Sequence, residues 1–129
     1  MVGLIWLIQR VHYPGFFFVD KAQFTTFATW HQKRISSIVI PIMVIELVSS
    51  VALCFFSTTY IWLIYLNMGI VALNLGVTFA VQVPIHKKLT EKMDIALIKR
   101  LVTGNWIRTA LWSLRALLLL ILLCVDKII

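Results

Sequence analysis

Three stretches of this chain stay apolar for long enough to cross a bilayer. They are residues 35–56 (ISSIVIPIMVIELVSSVALCFF), 60–83 (YIWLIYLNMGIVALNLGVTFAVQV) and 106–125 (WIRTALWSLRALLLLILLCV). A spanning helix needs about 20 mainly apolar residues. A fourth stretch, residues 1–19, is apolar to Ile8 and is then interrupted by Gln9, Arg10, His12 and Pro14. Polar groups in its second half are tolerable only near an interface or against protein. The pattern therefore predicts a short first helix that ends near Tyr13.

The connections carry a weaker pattern. Segment 22–34 mixes Phe24, Phe27, Ala28 and Trp30 with polar residues, which suits a helical extension lying at the interface. In segment 88–103, Leu89, Met93, Ala96, Leu97 and Leu101 share a face opposite lysine and arginine. That spacing predicts a surface-lying amphipathic helix. Asp94 suits an N-cap. Gly104 suits the end of that helix, with Asn105 capping the last membrane helix. The expected fold is all-α: a single transmembrane domain over residues 1–129, built as a four-helix bundle with amphipathic interfacial connections.

Composition changes the picture only by fixing the solvent. The 129 residues are 61% hydrophobic and 13% charged, against roughly 45–50% and 25% in soluble domains. A core this small could not hide so much apolar side chain from water. The formal net charge of +7 would suggest nucleic acid on a soluble protein. Here the basic residues flank apolar runs, so they point to topology and anionic lipid head groups instead.

Charge also sets the expected orientation. Lys21, Lys33 and Arg34 precede the second helix, and Lys87, Lys88, Lys92, Lys99 and Arg100 lie between the third and fourth. The link 57–59 is uncharged, and the C-terminus carries only Asp126 and Lys127. The positive-inside rule then places both basic connections in the cytoplasm and both termini outside, in a bacterial inner membrane. The start lacks a basic n-region and an A-x-A site, so no cleavable signal is expected. Trp30 falls near one interface, and Tyr60 and Trp62 near the other. Cys54 and Cys124 fall near outer helix ends, where small apolar packing is preferred to a disulfide.

Polar residues inside the apolar runs are the candidate chemistry. Glu46 lies roughly 16 Å along its helix, near the bilayer centre. Arg115 lies at a similar depth, and Arg108 shares its helix face. A lone carboxylate there is costly, so Glu46 pairs with Arg115 or, second, with Arg108. Asn67, Asn74, Thr78 and Gln82 form one polar face that should point into the bundle. That face could serve adhesion or line a pocket.

At the cytoplasmic ends, His12, His31, Gln82, Pro84, His86, Asn105 and Arg108 converge from four helices. Arg34, Arg108 and His86 could build an anion or polar-ligand pocket. His12, His31 and His86 are candidate metal ligands. No two of them lie at i, i+3 or i+4, however, so spacing calls for no metal and no cofactor is expected.

Three stretches carry a family resemblance: VHYPGF at 11–16, QVPIHKKL at 82–89 and LVTGNWIRTALWS at 101–113. Their order and spacing resemble the small bacterial four-helix membrane proteins related to anthrone oxygenase, most of them of unknown function. In that family the third helix ends in a VP-type motif and the fourth begins with Asn-x-x-Arg. Val83-Pro84 and Asn105-Trp106-Ile107-Arg108 match those elements. The resemblance implies a bundle that oxidises polycyclic anthrones with dioxygen and no classical cofactor. It makes Gln82, His86, Asn105 and Arg108 the positions of interest.

Three functions arise as expectations. The first is a pocket that binds or acts on a small hydrophobic, quinone- or anthrone-like molecule. His86 or His31 would be its base and Arg108 its oxyanion stabiliser, with Gln82, Asn105, Arg34, His12 and Asn74 around the ligand. The second is an oligomeric channel or transporter subunit lined by the polar face. The third is a non-catalytic assembly or lipid-binding protein. The expected partners are membrane lipids, a small hydrophobic ligand and further copies of the chain, not nucleic acid.

Overall fold

The computed structural model describes residues 1–56 and 60–126, with side chains to residue 124. The uncharged link 57–59 and Lys127 lie outside the described residues. Regular structure among the described residues is helical throughout. Helix α1 (Val2–Leu7) passes into a π-helical turn, Ile8–His12, and then a 3-10 turn, Pro14–Phe18. Helix α2 is Phe24–Phe56. Helix α3 (Ile61–Val77) continues through a second π turn, Thr78–Gln82, into α4 (Val83–Glu91). Helix α5 is Ile95–Asp126.

Three helices are long and apolar enough to cross a membrane: Phe24–Phe56, Ile61–Glu91 and Ile95–Cys124. Their outward faces carry Ile38, Ile45, Val48, Phe55, Leu73, Leu117 and Ile121, all exposed. In lipid those side chains meet acyl chains and need no protein cover.

The first helix is short, as expected: α1 and the π turn after it run from Val2 to His12, with Tyr13 at the cap. Its six α-helical and five π-helical residues rise at most about 16 Å, half of a ~30 Å hydrocarbon core. The Met1 amino nitrogen lies 3.1 Å from Glu46 Oε1, which puts the Met1 end of this helix at the depth of Glu46. It packs along α5, where Trp6 Nε1 donates to Ser113 Oγ at 3.0 Å and Trp6 meets Trp106 edge-on. Polar Gln9 and His12 stop the apolar run, and Pro14 opens the 3-10 turn.

Of the two connections, the first is a helical extension, as expected, and the second is corrected. Residues 24–34 are helical and continuous with the span that follows. They are the first turns of α2, whose 33 residues extend about 50 Å, well past the hydrocarbon core. Segment 88–103 is split at Lys92 and Asp94, and its second part belongs to α5. Asp94 Oδ1 accepts from the backbone N–H groups of Ala96 and Leu97 at 2.8 and 3.2 Å, the N-cap arrangement expected of it. Gly104 does not end a helix, and Asn105 caps none; both sit inside α5. Gly104 faces Gln82: a Cβ on it would stand 3.4 Å from Gln82 Nε2, an ordinary contact.

The core divides by depth. At the basic end, Phe16, Phe24, Leu89, Ile98 and Leu101 pack together beneath the 3-10 turn. At mid-depth, Ile5, Met43, Val71 and Trp112 meet. Toward the 57–59 link, Leu63, Ile70 and Leu118 close the bundle.

Mid-depth also holds the charge cluster. Arg115 NH1 donates to Glu46 Oε2, and Arg115 NH2 donates to Ser50 Oγ at 3.0 Å. Ser50 Oγ donates to the Glu46 carbonyl at 2.8 Å. The guanidinium also lies 5.7 Å from the Trp112 ring centroid. Glu46 therefore meets Arg115, not Arg108. Cys54 and Cys124 are free thiols.

Removing one partner of such a pair leaves a buried charge without an anion. Glu46→Gln is expected to destabilise the chain by about 3–5 kcal/mol. The double variant Glu46→Gln/Arg115→Gln should recover most of that loss, read by denaturant titration in mild detergent. A single variant within about 1 kcal/mol of the parent would show that the pair does not hold α2 to α5.

Candidate functional site

A cavity of about 320 Å³ opens between α2 and the continuous α3–α4 helix. Its apolar wall comes from Ile35, Val39, Met43 and Leu47 on α2 and Leu75 on α3. Its mouth is framed by Ile40, Val44, Phe79 and Val83, all exposed on the lipid-facing side. Its polar end is built from Tyr13, Thr78, Gln82, His86 and Arg108.

Local backbone irregularities place these groups. Both π turns reach the cavity, through Ile8 from the first and Thr78 and Gln82 from the second. A π turn adds one residue and rotates the rest of the helix about its axis. Thr78 Oγ1 donates back to the Asn74 carbonyl at 2.7 Å. Pro84 comes directly after, and its missing N–H is accommodated where the hydrogen-bond register has already shifted. Pro41 similarly leaves the Ser37 carbonyl without its helical donor beside the cavity wall.

A chain of hydrogen bonds fixes Arg108. Gln9 Nε2 donates to the Val102 carbonyl at 3.1 Å, and Asn105 Nδ2 donates to Gln9 Oε1 at 2.9 Å. Arg108 NH1 then donates to Asn105 Oδ1 at 3.0 Å. Gln9, Asn105 and Arg108 are all buried. Each bond uses a donor and an acceptor that lipid could not satisfy, so the chain holds the guanidinium in one orientation.

The histidines form a second group. His12 Nε2 and His31 Nδ1 are 2.8 Å apart, so one of the two nitrogens carries the shared proton and the other accepts it. His31 stacks on His86 with ring centroids 5.5 Å apart. His86 Nε2 and the Tyr13 hydroxyl are 3.0 Å apart. Phe16 stands edge-on to His31 at 4.8 Å and to Tyr13 at 6.1 Å, sealing this end with aromatic carbon. His12 lies outside the three long helices, and burial holds its imidazole below the ordinary value. Among the described residues, no three histidine, cysteine or carboxylate side chains have metal-holding geometry.

The residues singled out from sequence divide cleanly. Gln82, His86 and Arg108 meet at the cavity end. Asn105 stands behind Arg108, while His31 and His12 stand behind His86. Arg34 is exposed and lines no part of the cavity. Asn74 is buried but lies off the lining, bonded to the Ile70 carbonyl at 3.4 Å. Asn67 is buried with both amide atoms unpartnered. Two site residues were missed, Tyr13 and Gln9. Their i, i+4 spacing, which puts them on one helix face, was the available signal.

No protein-family description, curated protein or solved structure matches the chain.

The contrast between two asparagines gives a test. Asn105→Leu strands Gln9 and Arg108 and is expected to cost about 2–3 kcal/mol. Asn67→Leu removes an amide that bonds to nothing and is expected to be neutral or stabilising. Thermal unfolding of both in the same detergent checks this, and equal losses would contradict the hydrogen-bond chain.

Proposed function

We propose that the chain binds a small hydrophobic molecule drawn sideways from the bilayer, with an oxygen-bearing end at Arg108, Gln82 and His86. The supporting observation is the cavity itself. It is apolar along its length, open on the lipid-facing side, and polar only at one end. Its volume sits at the small end of the ligand-pocket range of about 300–1,000 Å³.

The chemistry proposed for that end is proton transfer beside a held oxyanion. His86, bonded to Tyr13, takes a proton from the ligand, and the Arg108 guanidinium stabilises the charge left on oxygen. His31 and His12 are positioning residues behind His86. The family resembled would make the ligand quinone- or anthrone-like and the oxidant dioxygen. No cofactor enters this scheme.

The channel reading needs a path past Asn67 and Asn74. Both are enclosed within one chain, and this favours the pocket. The basic ends of the helices are assigned to the cytoplasmic side of an inner membrane, where Lys87, Lys88 and Arg100 meet anionic head groups. Labelling of Cys124, at the far end of α5, by a membrane-impermeant maleimide on intact cells reads that orientation, and a thiol labelled only after permeabilisation would reverse it.

Filling the cavity tests the function. Val39→Trp places an indole across the apolar wall. It is expected to lower labelling of the lining residues Met43, Leu47 and Leu75 by a lipophilic diazirine probe, while lipid-facing Ile45 and Leu73 stay labelled and helix content is unchanged by circular dichroism. Undiminished labelling of the same lining residues would mean that the cavity is not where the ligand sits.

A further inference from the structure

We propose that the cavity takes a single-chain amphiphile with an ionised carboxylate head, seated on Arg108 and Gln82 with its chain along α2. This rests on the reading of the cavity as a ligand site and names the charge and shape of what fills it.

Charge is the first argument. Arg108 is 3% exposed. Its polar neighbours are neutral: NH1 donates to the amide oxygen of Asn105, the Tyr13 hydroxyl stands close by, and Nε has no partner. Among the described residues both ion pairs end on Glu46, which is engaged by Arg115 and the Met1 amino group. A guanidinium buried in a low-dielectric site without an anion is unfavourable. An anion supplied from outside the chain removes that penalty, and the cavity is the opening that reaches it.

The neighbouring groups fit the same head. Gln82 is 2% exposed and lines the cavity, yet neither of its amide atoms has a partner. Its amide atoms are enclosed beside Gly104; a turn of the side chain brings its NH2 group into the cavity as a second donor, and a carboxylate has two oxygens to receive both donors. Among the described residues, no carboxylate side chain lines the cavity to repel an anion. Arg108 lies one face-repeat from Arg115 toward the basic end, about 10 Å along α5. That offset moves it from mid-bilayer toward the basic interface, one of the two levels at which charged lipid heads lie.

Shape is the second argument. The α2 wall runs from Ile35 to Leu47, roughly 18 Å at 1.5 Å per residue. An apolar wall of that length beside a single polar end suits a chain laid along the helix. The mouth at Ile40, Val44, Phe79 and Val83 lets the chain enter from the acyl layer.

Native mass spectrometry of the delipidated full chain in detergent tests this, with oleate, methyl oleate and oleyl alcohol as probes. The three share a chain and differ at the head. Oleate is expected to be retained at least about tenfold more tightly than the ester, a difference of about 1.4 kcal/mol. Arg108→Gln should erase that preference, and Arg108→Lys should keep part of it. Gln82→Leu, which removes no charge, should weaken oleate and leave methyl oleate unchanged. Should Arg108→Gln fail to fold, the Gln82→Leu comparison decides.

Equal retention of acid and ester by the parent chain would overturn the carboxylate proposal while leaving the cavity as a ligand site. Retention of none of the three would overturn both. Oleate binding that survives in Val39→Trp would place the site elsewhere and overturn the proposal.

Discussion

In a hydrocarbon solvent a buried charge has to find its counter-charge inside the chain or bring one in, and two guanidiniums divide this molecule along that line. Arg115 has its anion. Glu46 closes on it from α2, Ser50 fills the remaining gap, and the Met1 amino group meets the second carboxylate oxygen. That cluster pins α1, α2 and α5 at one depth. Arg108 has no anion among the described residues. It is held by a neutral chain through Asn105 and Gln9. The first arrangement is complete and serves the fold; the second is incomplete and faces the cavity.

The polar end is built by departures from regular helix. Both π turns supply residues to the cavity lining. Each loosens or rotates a helix where a straight one would have closed the gap with aliphatic side chains. Such departures are characteristic of functional positions in helices. The mid-depth core, by contrast, is filled conventionally by Ile5, Met43, Val71 and Trp112.

Much of this was legible in the sequence. The three long apolar runs are plain because lipid demands length and composition and little else. The pairing of Glu46 with Arg115 is set by depth alone. Depth also brought Gln82, His86, Asn105 and Arg108 to one level, but it could not say which way each faced. Arg34 shares that level and points outward, while Asn74 shares a face with Gln82 and misses the lining. Gly104 and Asn105 read locally as a helix stop and start. They are neither, because tertiary packing against Gln82 and Gln9 decides those positions. The short α1 was legible from Gln9 and His12 as interruptions; their partners on α5 and α2 were not, because those contacts are tertiary.

The most direct test is a high-resolution structure of the chain extracted with its native lipid, read at Arg108. The expected result is elongated density between α2 and the α3–α4 helix, with a polar end within hydrogen-bond distance of Arg108 and Gln82. Side chains closed across that space, with Arg108 paired to a carboxylate of the chain itself, would contradict it.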